Sequence, residues 1–410
     1  MSLNATPSSE RIHIGFFGLM NVGKSSLINA VTGQSLSLVS DVPGTTTDPV
    51  KKAMELLPLG PVVIIDTAGI DDTGKLGEMR AERARKVLDQ TDIAVLVTEA
   101  GRDLLPAEQE LVGLFKEKHI DYLIAFNKDD PDGRKDRPAG DLSAPDQGDD
   151  FIYVSALTGK NIYELKEKLG AFARKWEEKR RVLVTDLIAP GEVAVLVIPI
   201  DESAPKGRLI LPQQQVMREL LDEHRTFITC QPAEIPQVLG SLAVKPGLVI
   251  TDSQAFEEVS ELVPEDIPLT SFSILFARYK GSLKTLVAGA AKLSNLKDGD
   301  KVLISEGCTH HRQCNDIGTV KVPGWIENFS GVKPEFAFSS GQSFPDNLSE
   351  YALIVHCGGC MLNDKEMKSR LLAAKKAGVP VVNYGIAIAH MHGILQRSLV
   401  PFPDAAELLQ

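Results

Sequence analysis

The sequence predicts an α/β protein of three consecutive α/β domains, the first with a mainly parallel sheet. Three observations predict it. Short apolar runs alternate with amphipathic stretches from end to end, the pattern of strands joined by helical crossovers. At 410 residues the chain is too long for one ordinary core and suggests two to three domains. A glycine-rich phosphate motif stands between the first strand and the first helix, and types the first domain as a P-loop fold.

In that domain, residues 11–177, the runs RIHIGFFG, PVVIIDTAG, DIAVLVTEA, DYLIAFNK and FIYVSA read as strands. KSSLINAVTG, EMRAERARKVLDQ, PAEQELVGLFKEK and NIYELKEKLGAFARKWEEK read as helices. PDGRKDRPAGDLSAPDQGDD, polar and rich in Pro and Gly, reads as a surface loop. Residues 1–10, MSLNATPSSE, read as a disordered tail without the basic-then-apolar layout of a signal peptide. The charged run KWEEKRRV closes the domain as a solvated helix end.

The middle domain, residues 178–268, repeats the alternation, with EVAVLVIPI, RTFITC and GLVITD as strands and PQQQVMRELLDEH, EIPQVLGSL and QAFEEVSELV as helices. It carries no catalytic constellation; Cys230 reads as a buried thiol at a strand end and His224 as a surface histidine. A domain of this kind suits a subunit interface. In the last domain, residues 269–410, FSILFARYKG, KVLISEGC, YALIVHC and VPVVNYG read as strands or strand ends. LKTLVAGAAKLSNL, DKEMKSRLLAAKKAG and IAIAHMHGILQ read as helices.

Composition narrows the class. The chain is 43% hydrophobic and 24% charged, as soluble globular proteins are. It has no apolar run long enough to span a bilayer, so a cytoplasmic protein without a membrane partner is expected. A net charge of −11 argues against nucleic acid as a partner. The five cysteines are Cys230, Cys308, Cys314, Cys357 and Cys360. In a reducing compartment they argue against a disulfide framework, and four of them crowd into the last third.

The nucleotide motifs come in a consistent order. GLMNVGKSS, Gly18 to Ser26, fits G-x-x-x-x-G-K-[ST]. Backbone N–H groups of Asn21, Val22, Gly23 and the residues after them would close around phosphates at a helix N-terminus. Lys24 would reach the β- and γ-phosphates, Ser25 would hold Mg²⁺, and Ser26 continues the cradle. In DTAG, Asp66 reaches Mg²⁺ through water and the Gly69 N–H senses the γ-phosphate. In NKDD, Asn127, Lys128 and Asp130 fit N-K-x-D; the Asp130 carboxylate would accept two hydrogen bonds that guanine supplies and adenine does not. SAL, Ser155, Ala156 and Leu157, would place a backbone N–H on the guanine oxygen. PGTTTD supplies a threonine to Mg²⁺: Thr46, or its neighbour Thr45.

This set resembles the TrmE–Era–EngA-type GTPases. Where their switch commonly reads G-T-T-R-D, Thr47 replaces the arginine. The resemblance implies that Asn21 matches an asparagine that binds K⁺ in part of the class, an ion that supplies transition-state charge as an arginine finger does. Ile70 follows DTAG where Ras-like enzymes carry a water-orienting glutamine, so slow turnover is expected. The catalytic set is then Lys24, Asn21 and Gly69.

VHCGGCML, Val355 to Leu362, sits at a strand-to-helix turn, and Cys308 ends another strand with His310 two residues on. Two such strand ends bring Cys308, Cys357 and Cys360 together. Three thiolates plus His356 or His310 suit tetrahedral zinc; three thiolates alone suit a 4Fe-4S cluster. A thioredoxin-like pair needs no third cysteine. Spacing alone leaves zinc and iron–sulfur both open.

The pattern C-x-H at Cys308–His310 and H-C-x-x-C at His356–Cys360, with 45 residues between the histidines, resembles the HydF family, the GTPase maturation factors of FeFe-hydrogenase. The domain order matches as well. The resemblance implies a 4Fe-4S cluster on Cys308, Cys357 and Cys360, with His356, then His310, as fourth-ligand candidates or hydrogen-bonding neighbours. It implies a homodimer or larger oligomer formed by the middle domain. It implies a scaffold that carries the transient two-iron precursor, supplied by the radical maturases HydE and HydG, to apo FeFe-hydrogenase. Cys314 falls outside the pattern, and His311, His390 and His392 read as ordinary helix or loop residues. The competing expectation is a potassium-dependent GTPase regulating tRNA modification or ribosome assembly, with structural zinc.

Overall fold

The computed structural model describes residues 6–34, 49–67, 69, 84–130, 150–177, 181–200, 209–281, 283–307, 316–341 and 343–409. They divide into two compact units, Met1–Arg180 and Arg181–Gln410.

The first unit holds six strands: β1 (Ile12–Phe17), β2 (Val50–Leu56), β3 (Gly60–Asp66), β4 (Ile93–Glu99), β5 (Asp121–Asn127) and β6 (Phe151–Tyr153). Their order is β2-β3-β1-β4-β5-β6. β2 runs antiparallel to β3, and the other pairs are parallel. Both faces are covered, so the central strands are largely apolar: Ile14 and Phe16 enter one core, Phe17 and Ile65 the other. β2 is the strand that sequence reasoning missed. It lies at the edge with most of VKKAMEL exposed, so it has neither an apolar run nor a clean alternation. Part of the expected disordered tail is docked: Ser8–Glu10 form a 3-10 turn with Ser9 buried. Arg11 ties that turn down by donating to the Thr6 and Met54 carbonyls, both at 2.9 Å.

The second unit holds two four-stranded sheets. The first, β7 (Val193–Val197), β8 (Thr226–Cys230), β9 (Leu248–Thr251) and β10 (Leu269–Ser271), has the order β10-β9-β7-β8. The second, β11 (Lys301–Glu306), β12 (Glu335–Ser340), β13 (Leu353–His356) and β14 (Val381–Asn383), has the order β12-β11-β13-β14. Every pairing in both is parallel. One continuous core runs beneath the two sheets, from Leu183 to Ala405.

That shared core corrects two expectations. FSILFARYKG is not a strand but the helix Phe272–Lys280, begun by Ser271, whose side chain accepts from the Ile274 N–H at 3.3 Å. Phe272, Ile274, Leu275, Phe276 and Ala277 are all buried, so the helix lacks the polar face that would reveal its period. The boundary expected at residue 268 also cuts the middle sheet, since β10 pairs with β9 up to Ser271. β12 and the helix Val322–Ser330 were not foreseen.

Strand order fixes where ligands can sit. β1 stands between β3 on one side and β4 on the other, and β11 and β13 part toward β12 and β14 in opposite directions. The carboxyl ends of β1, and of β11 with β13, are therefore topological switch points, where open parallel sheets bind their ligands.

Candidate nucleotide and cysteine sites

At the first switch point the chain turns from β1 into the helix Lys24–Thr32. Gly18 (φ 153), Asn21 (φ 61) and Gly23 (φ 85) have positive φ. A Cβ on Gly18 would lie 2.3 Å from the Val97 carbonyl oxygen, and one on Gly23 would lie 2.4 Å from Asn127 Nδ2. Only glycine fits at either position. Lys24 is buried, with Nζ 3.5 Å from the Gly18 carbonyl, folded back over the loop it would serve.

Ser25 Oγ donates to Asp66 Oδ2 at 3.2 Å, while Asp66 Oδ1 is buried without a hydrogen-bond partner. Burial pushes the Asp66 carboxyl up; Lys24 and the Ser25 hydroxyl pull the other way. A buried carboxylate oxygen with nothing to bind, beside a serine hydroxyl, fits a hydrated Mg²⁺. Gly69 packs on the P-loop: a Cβ there would lie 2.6 Å from Met20 Cγ. Thr45, Thr46, Thr47 and Ile70 lie outside the described residues.

The base-recognition residues converge at the ends of β5 and β6. Asn127 braces them. Its Nδ2 donates to the Val22 carbonyl at 3.0 Å, and its Oδ1 accepts from the Ala156 N–H at 3.0 Å. Of the three SAL residues expected to offer a backbone N–H to guanine, Ala156 here directs its own to Asn127. Asp130 accepts from the Ser155 hydroxyl, whose oxygen in turn accepts from the Thr158 N–H at 3.0 Å. Lys128, at φ 63, pairs with Glu99. Sequence reasoning missed Asp129, buried and paired with Lys160, which anchors the NKDD turn; no motif marks it. Leu157 is exposed.

At the second switch point β11 and β13 end side by side, with Ser305 in register with His356. The Cys357 N–H donates to the Ser305 carbonyl at 2.8 Å. Cys357 Sγ accepts from the Gly307 N–H at 3.1 Å and the Gly359 N–H at 3.4 Å. Burial pushes the Cys357 thiol up to about 11, against the pull of those two donors. Burial raises Cys360 as well, and the charge of Lys280 opposes it. Gly359 takes φ 64, and the Leu362 N–H closes the turn on the Gly359 carbonyl at 3.0 Å.

Two cysteines on one turn, one already holding N–H donors on its sulfur, fit a metal–thiolate or iron–sulfur centre. Cys308, the residue after Gly307, lies outside the described residues, as do His310, His311 and Cys314. Among the described residues, no group of three or more His, Cys, Asp or Glu gathers as a metal site.

Of the two roles expected of His356, ligand or hydrogen-bonding neighbour, its contacts are those of the second. Arg370 Nη1 lies 3.1 Å from its Nε2, and the Cys357 carbonyl lies 2.7 Å from its Nδ1. Arginine only donates and a carbonyl only accepts, so Nε2 is the acceptor and Nδ1 carries the proton. Both ring nitrogens are thus engaged in hydrogen bonds. Burial first, then Arg370, lowers the ring to about 4. Arg370 is itself buried and held by Glu366 at 2.7 Å and by the face of Phe344.

The other expectations hold in part. Cys230 is buried at the end of β8, and burial pushes its thiol up to about 11. His390 is tied to Ser294 at 3.0 Å and His392 to Glu257 at 3.2 Å. Arg370 and the buried Lys280 were both missed. The only signals were a Glu366–Arg370 spacing of four and a lone lysine ending an apolar run.

Residues 13–128 match a family described as 50S ribosome-binding GTPase, so the chain carries a GTPase domain. Residues 183–281 match the hydrogen maturase F dimerization domain, and residues 284–401 the hydrogen maturase F tetramerization domain. GTPase Der of Campylobacter concisus (strain 13826) is 33% identical over 215 residues, 49% of this chain and 44% of that protein. The tRNA modification GTPase MnmE of Clostridioides difficile (strain 630) is 31% identical over 159 residues, 38% of this chain and 34% of that protein. The chain thus spans less than half the length of these relatives. The crystal structure of a probable GTP-binding protein engB is 24% identical, with a TM-score of 0.31, over 40% of this chain and 99% of that one. No helix among the described residues is long and apolar enough to cross a membrane.

Proposed function

Because the chain belongs to the hydrogen maturase F family and its first domain is a GTPase, we propose that it is a GTP-switched scaffold and carrier for FeFe-hydrogenase maturation. Cys308, Cys357 and Cys360 hold a 4Fe-4S cluster. The protein takes a two-iron precursor from HydE and HydG and hands it to apo FeFe-hydrogenase. GTP with Mg²⁺ occupies the P-loop, and K⁺ at Asn21 supplies the charge that Ile70 does not. GTP bound or released gives two states that partners tell apart. The oligomer forms through residues 178–268 and their neighbours.

The observation that carries the cluster reading is the Cys357 sulfur, held by two backbone N–H groups at the junction of β11 and β13. His356 serves this loop as a brace on the Cys357 carbonyl rather than as a ligand. The alternative, a ribosome- or tRNA-directed GTPase with structural zinc, predicts a colourless metal site. Anaerobic reconstitution with iron and sulfide decides between them. The proposal expects iron–sulfur absorption that is lost in Cys357→Ser, since a serine oxygen is a poor substitute for thiolate. Tight zinc with no iron uptake would overturn it.

A further inference from the structure

Lys280 is the last residue of the helix Phe272–Lys280 and 1% exposed. Its ammonium nitrogen lies 3.0 Å from the Leu362 carbonyl and 3.3 Å from the Cys360 carbonyl, and 5.5 Å from the centre of the Phe276 ring. It thus clamps the far half of the turn that begins at Cys357. The near half is held independently by the His356–Arg370 brace and by the N–H groups on Cys357 Sγ. Lys280 belongs to the stretch matched by the dimerization domain, which ends at residue 281, whereas the turn it clamps lies in the stretch matched by the tetramerization domain.

The same helix end grips the segment that opens the second unit. Arg278 bonds Asp186 and the Val182 carbonyl, and Arg181 bonds the Tyr279 carbonyl, at 2.6 to 3.0 Å. The helix end is therefore fixed, and a lysine projecting from it is a fixed charge.

We propose that Lys280 is a positioning residue of the cysteine site: its ammonium fixes the Cys360–Leu362 turn and supplies the positive charge against which a bound cluster is poised. Two consequences follow. Hydrogen bonds from a buried cation to two carbonyls hold the turn closed in the apoprotein. A fixed positive charge beside the site favours the more negative, reduced cluster and raises its reduction potential. The first consequence depends only on the geometry; the second rests on the iron–sulfur reading above.

The test compares Lys280→Met, which keeps the chain length but removes donor and charge, with Lys280→Arg, which keeps both. In the full-length apoprotein, Lys280→Met is expected to speed hydrogen exchange at peptides covering residues 357–363 by roughly tenfold or more. Peptides from residues 193–230 should be unchanged, which controls for unfolding, and Lys280→Arg should restore most of the protection. After anaerobic reconstitution, Lys280→Met should shift the cluster's midpoint potential to more negative values and Lys280→Arg should restore it. Unchanged exchange at 357–363 in Lys280→Met would overturn the positioning role whatever metal the site takes. Faster exchange with an unshifted potential would overturn the electrostatic half. A wild-type protein that takes up zinc but no cluster would instead defeat the iron–sulfur reading, while the exchange measurement still decides the positioning role.

Discussion

His356 shows how one side chain is set by its neighbours. The neutral ring bridges Arg370 and the Cys357 carbonyl, and its pKa falls from 6.5 to about 4. A histidine depressed in this way binds fewer protons folded than unfolded. Its contribution is fully present above pH 6.5 and is lost as pH falls toward 4. The loss amounts to about 3 kcal/mol, from the size of the shift. Apoprotein stability from urea unfolding should therefore drop between pH 7 and 4.5 by about 2 kcal/mol more than that of His356→Gln. Parallel pH profiles for the two proteins would contradict the brace.

At the nucleotide site, Asp130 is aimed by Ser155. Asp130→Asn should cut GTP turnover by roughly 100-fold and shift preference toward xanthosine triphosphate. In the same assay, potassium but not sodium should stimulate the wild type, and Asn21→Ala should remove the difference. Equal rates in the two salts would remove the potassium role.

At the scale of elements, the junction of β11 with β13 depends on the absence of a side chain at Gly307. A Cβ there would lie 2.6 Å from Leu362 Cγ, inside the buried side chain that ends the cysteine turn. Gly307→Ala should destabilise the second unit by about 1–3 kcal/mol and weaken iron retention. A thermal melt and iron content matching the wild type would show that the turn has room to move.

Elements such as this one divide cleanly by how much of them can be read from the chain. Strands buried on both faces announce themselves as apolar runs, as VVIID and IAVLV do, and the P-loop and NKDD motifs carry their chemistry in fixed spacing. Phe272–Lys280 was hidden because burial all round erases the helical period, and β2 and β12 because edge strands fully bury few of their residues. Cys357 and Cys360 were legible as a pair. Lys280 and Arg370 were not, since each reaches the turn only through folding, from 80 and 14 residues away in sequence.

At the scale of the whole molecule, the two chemistries lie in separate units with separate hydrophobic cores. A fragment of residues 181–410 should then fold and remain oligomeric by light scattering; a monomer would place the interface in the first unit. Lys24→Ala should lower GTP turnover by roughly 100-fold or more yet keep a normal iron count, and Cys357→Ser should lose most of its iron yet turn over GTP as the wild type does. Loss of iron from a folded Lys24→Ala protein would show that the sites depend on each other structurally.

The central claim, that the cysteine turn is part of the carrier, is tested most directly by activation of apo FeFe-hydrogenase. Wild-type protein and Cys357→Ser, each produced alongside HydE and HydG and purified anaerobically, are mixed with the apoenzyme, and hydrogen evolution is measured. Activation by the wild type and none by Cys357→Ser is the predicted result. Full activation by Cys357→Ser would contradict it and leave the cysteine turn as a structural metal site.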